Sequence, residues 1–290
     1  MLLYPLMQST IDLHIHTLVS DGNATPLEML AAAKELGLSR MSFTDHDALG
    51  AYRHWGDIFA PARELGIELI SGIELDSDYQ RREIHLLGYG FNLDDPALNK
   101  HLNVTRTFRK RKVQQQLAII NQFFGRKVVD PKKVFIPHRD TLMKPHLVHA
   151  MLEQNLFPEY REAAKWLSEI ARVPVRVPKL PLPDAIRMIR SAGGDAVLAH
   201  PGYLVKETDI SLVSFLEEFV PLGLSGLEVE YPYFGTSPSF PDLETESRLI
   251  EELRALAVQF NLKETRGSDA HEVEALKKFA GNGNSVTSDK

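Results

Sequence analysis

The chain has 290 residues, of which 43% are hydrophobic and 25% charged, and its net charge is −6. This composition is typical of a globular protein and excludes wholesale disorder and a fibrous repeat. Because the chain has no cysteine, disulfides, thiolate zinc sites and cysteine nucleophiles are excluded. No apolar run is long enough to span a membrane, and Asp12 interrupts the opening apolar residues, so the sequence predicts neither a span nor a secretory signal but a cytoplasmic protein.

The first part of the chain alternates between predicted strands and helices. Thr25-Pro26-Leu27-Glu28 combines an N-cap, a proline at the first helical position and a capping-box glutamate, and Gly37 is a typical helix end. The predicted strands lie at 11–16, 40–44, 67–73 and 84–91, and the helical patterns at 26–36 and 49–65. The fourth strand is a candidate hairpin partner of 74–79. This alternation favours a largely parallel sheet or barrel.

A helical stretch then interrupts the alternation. Val113, Leu117, Ile120 and Phe124 recur at helical spacing, and 142–156 and 159–171 also have helical patterns. After a proline-rich segment, helices at 184–192, 211–220 and 243–260 alternate with strands at 196–199, 226–230 and 262–266. The sequence therefore predicts an α/β core in two parts, 1–93 and 183–280, a mostly helical insertion at 94–182 and a flexible tail at 281–290.

Charge is distributed unevenly along the chain. Residues 100–133 contain ten basic residues and one acidic residue, a net charge of +9, whereas the rest of the chain carries −15. A basic segment in an acidic protein could attract a phosphate-rich ligand, but it could equally be a solvated helix face. The overall negative charge argues against stable binding of duplex DNA.

Histidines and carboxylates cluster where predicted strands end, which is where α/β folds place their chemistry. His14 and His16 lie two apart on a strand, so both imidazoles point to the same side and can reach one cation. Each residue also has a simpler explanation: Asp21-Gly22 is a common turn, and Asp45, Asp47 and Asp269 could cap helices. These explanations do not account for the shared edge, which favours a metal site.

The ordered set of motifs resembles the PHP (polymerase and histidinol phosphatase) family. The resemblance rests on His14-x-His16, Thr44-Asp45-His46, Gly72-Ile73-Glu74, His85, Ala199-His200-Pro201 and Ser268-Asp269-x-His271. Within the family, the segments 193–201 and 226–232 and the size of the insertion resemble the nucleotide 3′,5′-bisphosphate phosphatase and 5′-to-3′ exoribonuclease branch.

The resemblance implies a distorted (β/α)₇ barrel with two or three divalent cations at its mouth. His14, His16, Glu74 and Asp269 would hold one cation and act catalytically through the hydroxide that the cations activate. Glu74 would also bridge to a second cation held by His85 and His200. Asp21, His46 and His271 would hold a third, and Asp21 is the loosest of these assignments because it lies on a loop. Imidazole and carboxylate ligands suit Mn²⁺ first, with Zn²⁺, Fe²⁺ and Mg²⁺ as alternatives.

Other residues are expected to support these ligands or the substrate. Asp12 and Asp45 are predicted to orient imidazole rings by accepting hydrogen bonds from the free N–H groups of the rings. One of Glu228 and Glu230 is predicted to do the same. The predicted substrate-binding residues are Lys144, Arg176, Lys179 and Tyr203, with Arg172 and Lys206 as further candidates for the phosphate that is not cleaved. The resembled branch has Gly-Arg-x-His where this chain has Met143-Lys144-Pro145-His146, so a lysine replaces the bidentate arginine.

These features together predict a metal-dependent phosphoesterase. Its expected substrates are nucleotide 3′,5′-bisphosphates or the 5′ ends of short RNA, hydrolysed by a metal-activated hydroxide. No Gly-x-Ser-x-Gly or phosphate-loop motif is present, so the chemistry does not need a serine nucleophile of that kind or P-loop hydrolysis. Two alternatives remain open: a small-metabolite phosphatase, such as one for histidinol phosphate, and a non-catalytic accessory module stabilised by metal.

Overall fold

A computed structural model of the chain describes residues 10–125 and 127–283. The strands are β1 (Thr10–Ile15), β2 (Leu38–Phe43), β3 (Glu68–Tyr79), β4 (Arg82–Tyr89), β5 (Leu180–Pro181), β6 (Asp195–Leu198), β7 (Leu224–Glu230) and β8 (Lys263–Arg266). The helices are α1 (Pro26–Glu35), α2 (Phe59–Glu64), α3 (Pro96–Phe123), α4 (Pro131–Val134), α5 (Lys144–Glu153), α6 (Tyr160–Glu169), α7 (Leu182–Ser191), α8 (Pro201–Glu207), α9 (Leu212–Phe219), α10 (Leu243–Gln259) and α11 (Val273–Gly283).

Seven of the strands form one curled sheet in the order β1-β2-β3-β4-β6-β7-β8, and the short β5 pairs with β3. All neighbours are parallel except β4, which is antiparallel to both β3 and β6. The sheet curls until its two ends meet. At the junction, a parallel bridge joins Ile15 to Ala270, and the His16 amide donates to the Ala270 carbonyl at 2.9 Å. The predicted barrel-like α/β fold is therefore confirmed, with one antiparallel strand in a mixed sheet.

Local sequence signals account for the start of the fold. Thr25 accepts a hydrogen bond from the Glu28 amide, and the Glu28 side chain accepts one from the Thr25 amide, which is the predicted capping box of α1. Gly37 follows the helix with a φ of +72°, a left-handed conformation that glycine adopts without steric cost. The signal for β3 and β4 is equally local, since the tight turn at Gln80 and Arg81 makes them the expected hairpin.

The prediction for 49–65 is only partly correct. A single 3₁₀ turn at Gly50–Tyr52 and the short α2 replace a continuous helix. Gly50 lies so close to His54 and Asp140 that a Cβ there would be 2.6 Å from both side chains, and Gly56 has a φ of +69°. The close packing of Gly50 against Asp140 and the left-handed turn at Gly56 therefore interrupt the helix. The helices α4, α8 and α11 and the strand β5 were not predicted.

The buried apolar residues form separate cores in the barrel and the insertion. One cluster from Val113 to Ala171 fills the space between α3, α5 and α6. In contrast, Leu98 and Leu102, in the first turns of α3, pack into the large cluster of the barrel. The helix α3 therefore runs from the barrel core into the core of the insertion.

Among the described residues, none of the helices combines the length and the apolar character needed to cross a membrane. Most of the predicted tail at 281–290 lies outside the described residues, and α11 extends to Gly283.

Candidate metal centre

The structure brings the nine predicted ligand side chains to one edge of the curled sheet. They come from β1 and the loop after it, the loop after β2, β3, β4, the turn after β6 and the segment after β8: His14, His16, Asp21, His46, Glu74, His85, His200, Asp269 and His271. His85 lies near the start of β4, opposite Asp76, and reaches this edge because β4 runs antiparallel to β3.

A first group of atoms surrounds Glu74 Oε2. The Nε2 atoms of His14 and His16 lie 3.3 and 3.2 Å from it, and 3.1 Å from each other. Asp269 Oδ1 lies 2.9 Å from His16 Nε2 and 3.4 Å from His14 Nε2. These four side chains are the set that was predicted to share one cation.

A second group surrounds the other oxygen of Glu74. Oε1 lies 2.9 Å from His85 Nδ1 and 3.3 Å from His200 Nε2. The two groups share Glu74, which is 1% exposed, so this carboxylate lies in the position expected of a bridging ligand. His200 has a φ of +29°, a strained backbone conformation of the kind that occurs at functional sites.

A third group lies closer to solvent. Asp21 Oδ1 is 3.4 Å from His271 Nε2 and 3.7 Å from His16 Nδ1, and the His271 side chain is 40% exposed. The His271 ring donates through Nδ1 to the Asp269 carbonyl at 2.8 Å, which leaves Nε2 facing Asp21.

His46 does not belong to the third group alone. Its Nε2 lies 3.3 Å from Glu74 Oε2, and its ring stacks on His16 at a centroid distance of 4.7 Å. Ligand atoms of His46 can join either His16, Asp21 and His271 or Glu74 and His85 within 4.8 Å of one another. The structure therefore places His46 between the groups, whereas the prediction paired it only with Asp21 and His271.

The donor set fits divalent cations. Two ligand atoms bonded to one cation at about 2.1 Å lie roughly 3.0–3.4 Å apart, which is the spacing in the first group. Glu74 Oε2 and Asp21 Oδ1 are buried and have no hydrogen-bond partner among the described residues, although ring nitrogens surround both. Nitrogen and oxygen donors without sulfur suit Mn²⁺, Zn²⁺ or Fe²⁺.

The electrostatics of the centre keep its carboxylates ionised. Burial disfavours the charge of Glu74, but the rings of His46, His85 and His14 outweigh it and hold the pKa of Glu74 well below its ordinary value. Burial also disfavours a charged His16, yet Asp269 and Glu74 raise the pKa of His16 to about 10. Protons and metal ions therefore compete for the same ring nitrogens.

Three residues behind the predicted ligands hold them by hydrogen bonds. His14 Nδ1 donates to Glu228 Oε1 at 2.9 Å, and His46 Nδ1 donates to Asp76 Oδ1 at 3.0 Å. The Tyr231 hydroxyl donates to Asp269 Oδ2 at 2.8 Å. Alternation along β7 left Glu228 and Glu230 as equal candidates, and Asp76 could have been found from its position two residues after Glu74 on the same face of β3.

Glu230 and the two predicted aspartates have other partners. Glu230 forms ion pairs with Arg254 and Arg266 away from the centre. Asp12 accepts from the backbone amides of His14 and Ser268, at 3.2 and 3.0 Å, and so ties β1 to the segment after β8.

Asp45 holds the loop that follows β1. Its carboxylate accepts from the Thr17 amide and hydroxyl at 2.8 Å and from the Ser20 hydroxyl at 2.6 Å. The prediction that Asp12 and Asp45 bond imidazole N–H groups directly is therefore wrong. Both side chains face backbone amides and hydroxyls, which the spacing of the sequence could not distinguish from ring nitrogens.

Of the predicted substrate residues, Lys144 and Tyr203 line cavities. Lys144 borders a cavity of about 360 Å³ in the insertion. Among the described residues that line it, none is acidic and four are basic, namely Arg109, Lys112, Lys144 and Arg172. Burial and the neighbouring Arg109 and Lys144 charges lower the pKa of Lys112, as expected in a positive environment. Tyr203 packs against the His200 ring, with the centroids 5.4 Å apart, in a cavity that also includes His85.

The other predicted cations face elsewhere. Lys179 is paired with Glu83, whose Oε1 is 3.2 Å from His85 Nε2. Arg176 and Lys206 are exposed side chains. A further cavity of about 450 Å³ lies beside the third group, bordered by Asp21, Asp269 and His271 on the barrel side and by Arg139, His146 and His149 on the insertion side.

His146 connects the insertion to the Asp21 loop. Its Nε2 donates to the Ser20 carbonyl at 2.9 Å, and its Nδ1 accepts from the Met143 amide at 2.9 Å. This pattern requires a neutral ring, and burial together with Arg139 lowers the pKa of His146 to about 4. The histidine of the Lys144-Pro145-His146 segment therefore supports the site from behind.

Comparison with known proteins places the candidate site in a known family. The family model described as PHP domain matches residues 12–173. A phosphoribosyl 1,2-cyclic phosphate 1,2-diphosphodiesterase from Eggerthella lenta is 31% identical over 90% of this chain and 93% of its own length. A 5′-3′ exoribonuclease from Haemophilus influenzae is 26% identical over 91% of each chain.

Two further matches agree with these. A 3′,5′-nucleoside bisphosphate phosphatase from Chromobacterium violaceum is 28% identical over 76% of each chain. A solved structure from Bifidobacterium adolescentis, assigned as a metal-dependent phosphoesterase, has a TM-score of 0.73 at 22% identity and covers 91% of this chain and 88% of its own, which establishes the shared fold.

Proposed function

The chain belongs to the PHP domain family, and from this membership we propose that it is a metal-dependent phosphoesterase acting on ribose derivatives that carry two phosphate groups. The observation that carries the proposal is the convergence on Glu74. Five histidine rings and the Asp269 carboxylate line the space around this one buried carboxylate.

The proposed ligands follow the three groups. His14, His16, Glu74 and Asp269 hold one cation, and Glu74 with His85 and His200 holds a second. Asp21, His46 and His271 remain the proposed ligands of a third, with His46 also within reach of the second group. Bound cations in such a site make water a nucleophile near neutral pH and neutralise phosphate charge. Mn²⁺ is the proposed ion, because imidazole and carboxylate donors without thiolate suit it.

The chain's own residues position the reactants. Glu228 and Asp76 fix the His14 and His46 rings with Nε2 directed at Glu74, and Tyr231 fixes Asp269. Burial and Asp269 raise the pKa of Tyr231 well above its ordinary value, so its hydroxyl stays a donor. Phosphoryl transfer depends mainly on such positioning and on charge neutralisation.

The basic cavity is the proposed holder of the phosphate group that does not react. Within the part of the chain that the structure describes, Lys112, Lys144 and Arg172 have no carboxylate beside them in the lining, so an anion there would not compete with an internal partner. Nucleoside 3′,5′-bisphosphates and phosphoribosyl cyclic phosphates both carry a second phosphate on the same ribose. Lysine binds phosphate as a point charge, which tolerates more than one placement of that group.

The proposal is tested by loading metal-free protein with Mn²⁺ and measuring products by mass spectrometry. The substrates are a nucleoside 3′,5′-bisphosphate, a phosphoribosyl 1,2-cyclic phosphate, a 5′-phosphorylated oligoribonucleotide and histidinol phosphate. We expect a kcat/KM at least tenfold higher for a compound with two phosphates than for histidinol phosphate. The cyclic compound is included because the Eggerthella lenta relative, 31% identical, is a diesterase for that chemistry.

Two variants serve as controls. H14A/H16A should fold but lose turnover, whereas loss of the fold would favour a structural role for the metals. K144Q should raise KM for the preferred substrate. K110Q, which replaces an exposed lysine on α3, should leave this KM unchanged. Preference for histidinol phosphate, or no hydrolysis of any of the four compounds, would contradict the proposal.

A further inference from the structure

Arg109 is a buried arginine in the most basic segment of the chain. It lies on α3, where neighbouring basic residues such as Lys110 and Arg111 face solvent, yet it is only 7% exposed. Its Nη2 donates to Asp47 Oδ2 and to Asp76 Oδ2, both at 2.6 Å. Arginine is rarely buried unless it is paired, and these two aspartates are the partners that stabilise the buried guanidinium.

The two carboxylates lead directly to the metal centre. Asp76 uses its second oxygen to accept from His46 Nδ1 at 3.0 Å, and His46 Nε2 then lies 3.3 Å from Glu74 Oε2. Asp47 adjoins His46 in the chain, and its Oδ1 accepts from the Asp76 amide at 3.2 Å. Arg109 Nη2 therefore bonds both to Asp76, which accepts from the His46 ring, and to Asp47, which follows His46 in the chain.

The backbone around Asp47 depends on these contacts. Asp47 has a φ of +46°, in the left-handed region that non-glycine residues seldom adopt, and its amide donates to the Glu74 carbonyl at 2.9 Å. Such a conformation persists only where surrounding contacts enforce it. Without Arg109, Asp47 and Asp76 would be two buried like charges that repel each other.

We propose that Arg109 is a positioning residue, which through Asp76 fixes the His46 ring with Nε2 directed at Glu74. This inference rests on the proposed role of His46 as a ligand. It makes α3 part of the metal-binding apparatus, because a residue of the insertion determines the orientation of a barrel histidine. Arg109 also lines the basic cavity, so the same side chain touches both the proposed phosphate holder and the support of a ligand.

The test compares R109Q with R106Q by NMR of metal-free protein labelled with ¹⁵N-histidine. Arg106 is a matched control, because it lies one turn earlier on α3 and also pairs with an aspartate, Asp140, but is 48% exposed. We expect the His46 Nδ1–H signal, assigned with H46Q, to exchange with water at least tenfold faster in R109Q and to be unchanged in R106Q. R109K should restore part of the protection, because a single nitrogen makes both contacts.

Mn²⁺ binding by calorimetry gives an independent readout. R109Q should bind one of the Mn²⁺ ions at least tenfold more weakly than R106Q does. Unchanged His46 exchange together with unchanged Mn²⁺ binding in R109Q would overturn the inference.

If R109Q does not fold, D47N/R109Q replaces it, because this pair removes one buried carboxylate with the guanidinium and keeps the local net charge. The inference requires fast His46 exchange in this variant, and wild-type protection there would refute it. A wild-type protein that binds no Mn²⁺ would contradict the proposed function, while the NMR comparison would still decide the role of Arg109.

Discussion

At the candidate metal centre, three of the proposed ligand side chains each have a hydrogen-bond partner behind them. Glu228 stands behind His14, Asp76 behind His46 and Tyr231 behind Asp269. The partner behind each ring fixes which nitrogen carries the proton, and therefore which nitrogen is free to bind a cation. Gly267 makes room for one of these pairs, because a Cβ there would be 2.2 Å from His14 Cβ and 2.6 Å from Glu228 Oε1.

At this scale we predict that E228Q weakens metal binding. Glu228 accepts from His14 Nδ1 through one oxygen and from the His200 amide, at 2.7 Å, through the other. A glutamine can accept at only one of these positions, so its NH₂ group must face a donor. We expect roughly 10- to 100-fold weaker Mn²⁺ binding, measured by calorimetry on metal-free protein.

The matched control is E230Q on the same strand, whose carboxylate pairs with Arg254 and Arg266 instead. It should bind Mn²⁺ with the wild-type affinity. Equal affinities for E228Q and E230Q would show that Glu228 does not position His14.

Two kinds of signal position the elements that carry the proposed ligands. Caps and turns are local: the Thr25 capping box begins α1, and the turn at Gln80 and Arg81 returns β4 along β3. Pairing across the sheet is not local, as in the contact of the Asp12 carboxylate with the Ser268 amide. The elements are thus specified separately, whereas their meeting at Glu74 depends on closure of the sheet.

The capping box predicts a measurable loss of stability in T25A. Removal of the Thr25 hydroxyl leaves the Glu28 amide without its partner at the start of α1. We expect the free energy of unfolding, from urea titration of metal-free protein, to fall by about 1 kcal/mol. T107A, an exposed threonine within α3, should change it by less than about 0.5 kcal/mol. A T25A variant as stable as T107A would mean that packing alone holds α1.

At the scale of the whole molecule, the centre joins both ends of the curled sheet. The proposed ligands of the first cation come from β1 and the residue after it, from β3 and from the segment after β8, and Asp269 has a φ of +52° at this junction. Cations that bind only the folded chain therefore strengthen the closure of the barrel. The boundaries of the insertion at 94 and 182 stay a prediction, and α3, which begins at Pro96, packs its first turns into the barrel core.

We expect Mn²⁺ to raise the melting temperature of metal-free protein. At a concentration of 100 times Kd, one bound ion adds about 2.7 kcal/mol, which for a chain of this length is a shift of about 4 °C. The measurement is calorimetry with and without Mn²⁺. H14A/H16A, which lacks two of the proposed ligands, should show a clearly smaller shift, and equal shifts in both proteins would place the stabilising ion elsewhere.

Much of this protein could be predicted from the order of residues alone. Alternating apolar runs predicted the strands, the Thr25 box and Gly37 bounded α1, and polar residues at strand ends indicated the edge where the nine side chains meet. These signals are readable because each depends on neighbours within a few residues.

Only the tertiary structure decided which groups stand behind those side chains. Glu228 lies 214 positions from His14, and Arg109 lies 62 and 33 positions from Asp47 and Asp76. Arg109 is indistinguishable in the sequence from the solvated basic residues around it, and Asp12 from an aspartate that bonds an imidazole. Burial and pairing are properties of the closed sheet and its inserted helix, which short-range spacing does not encode.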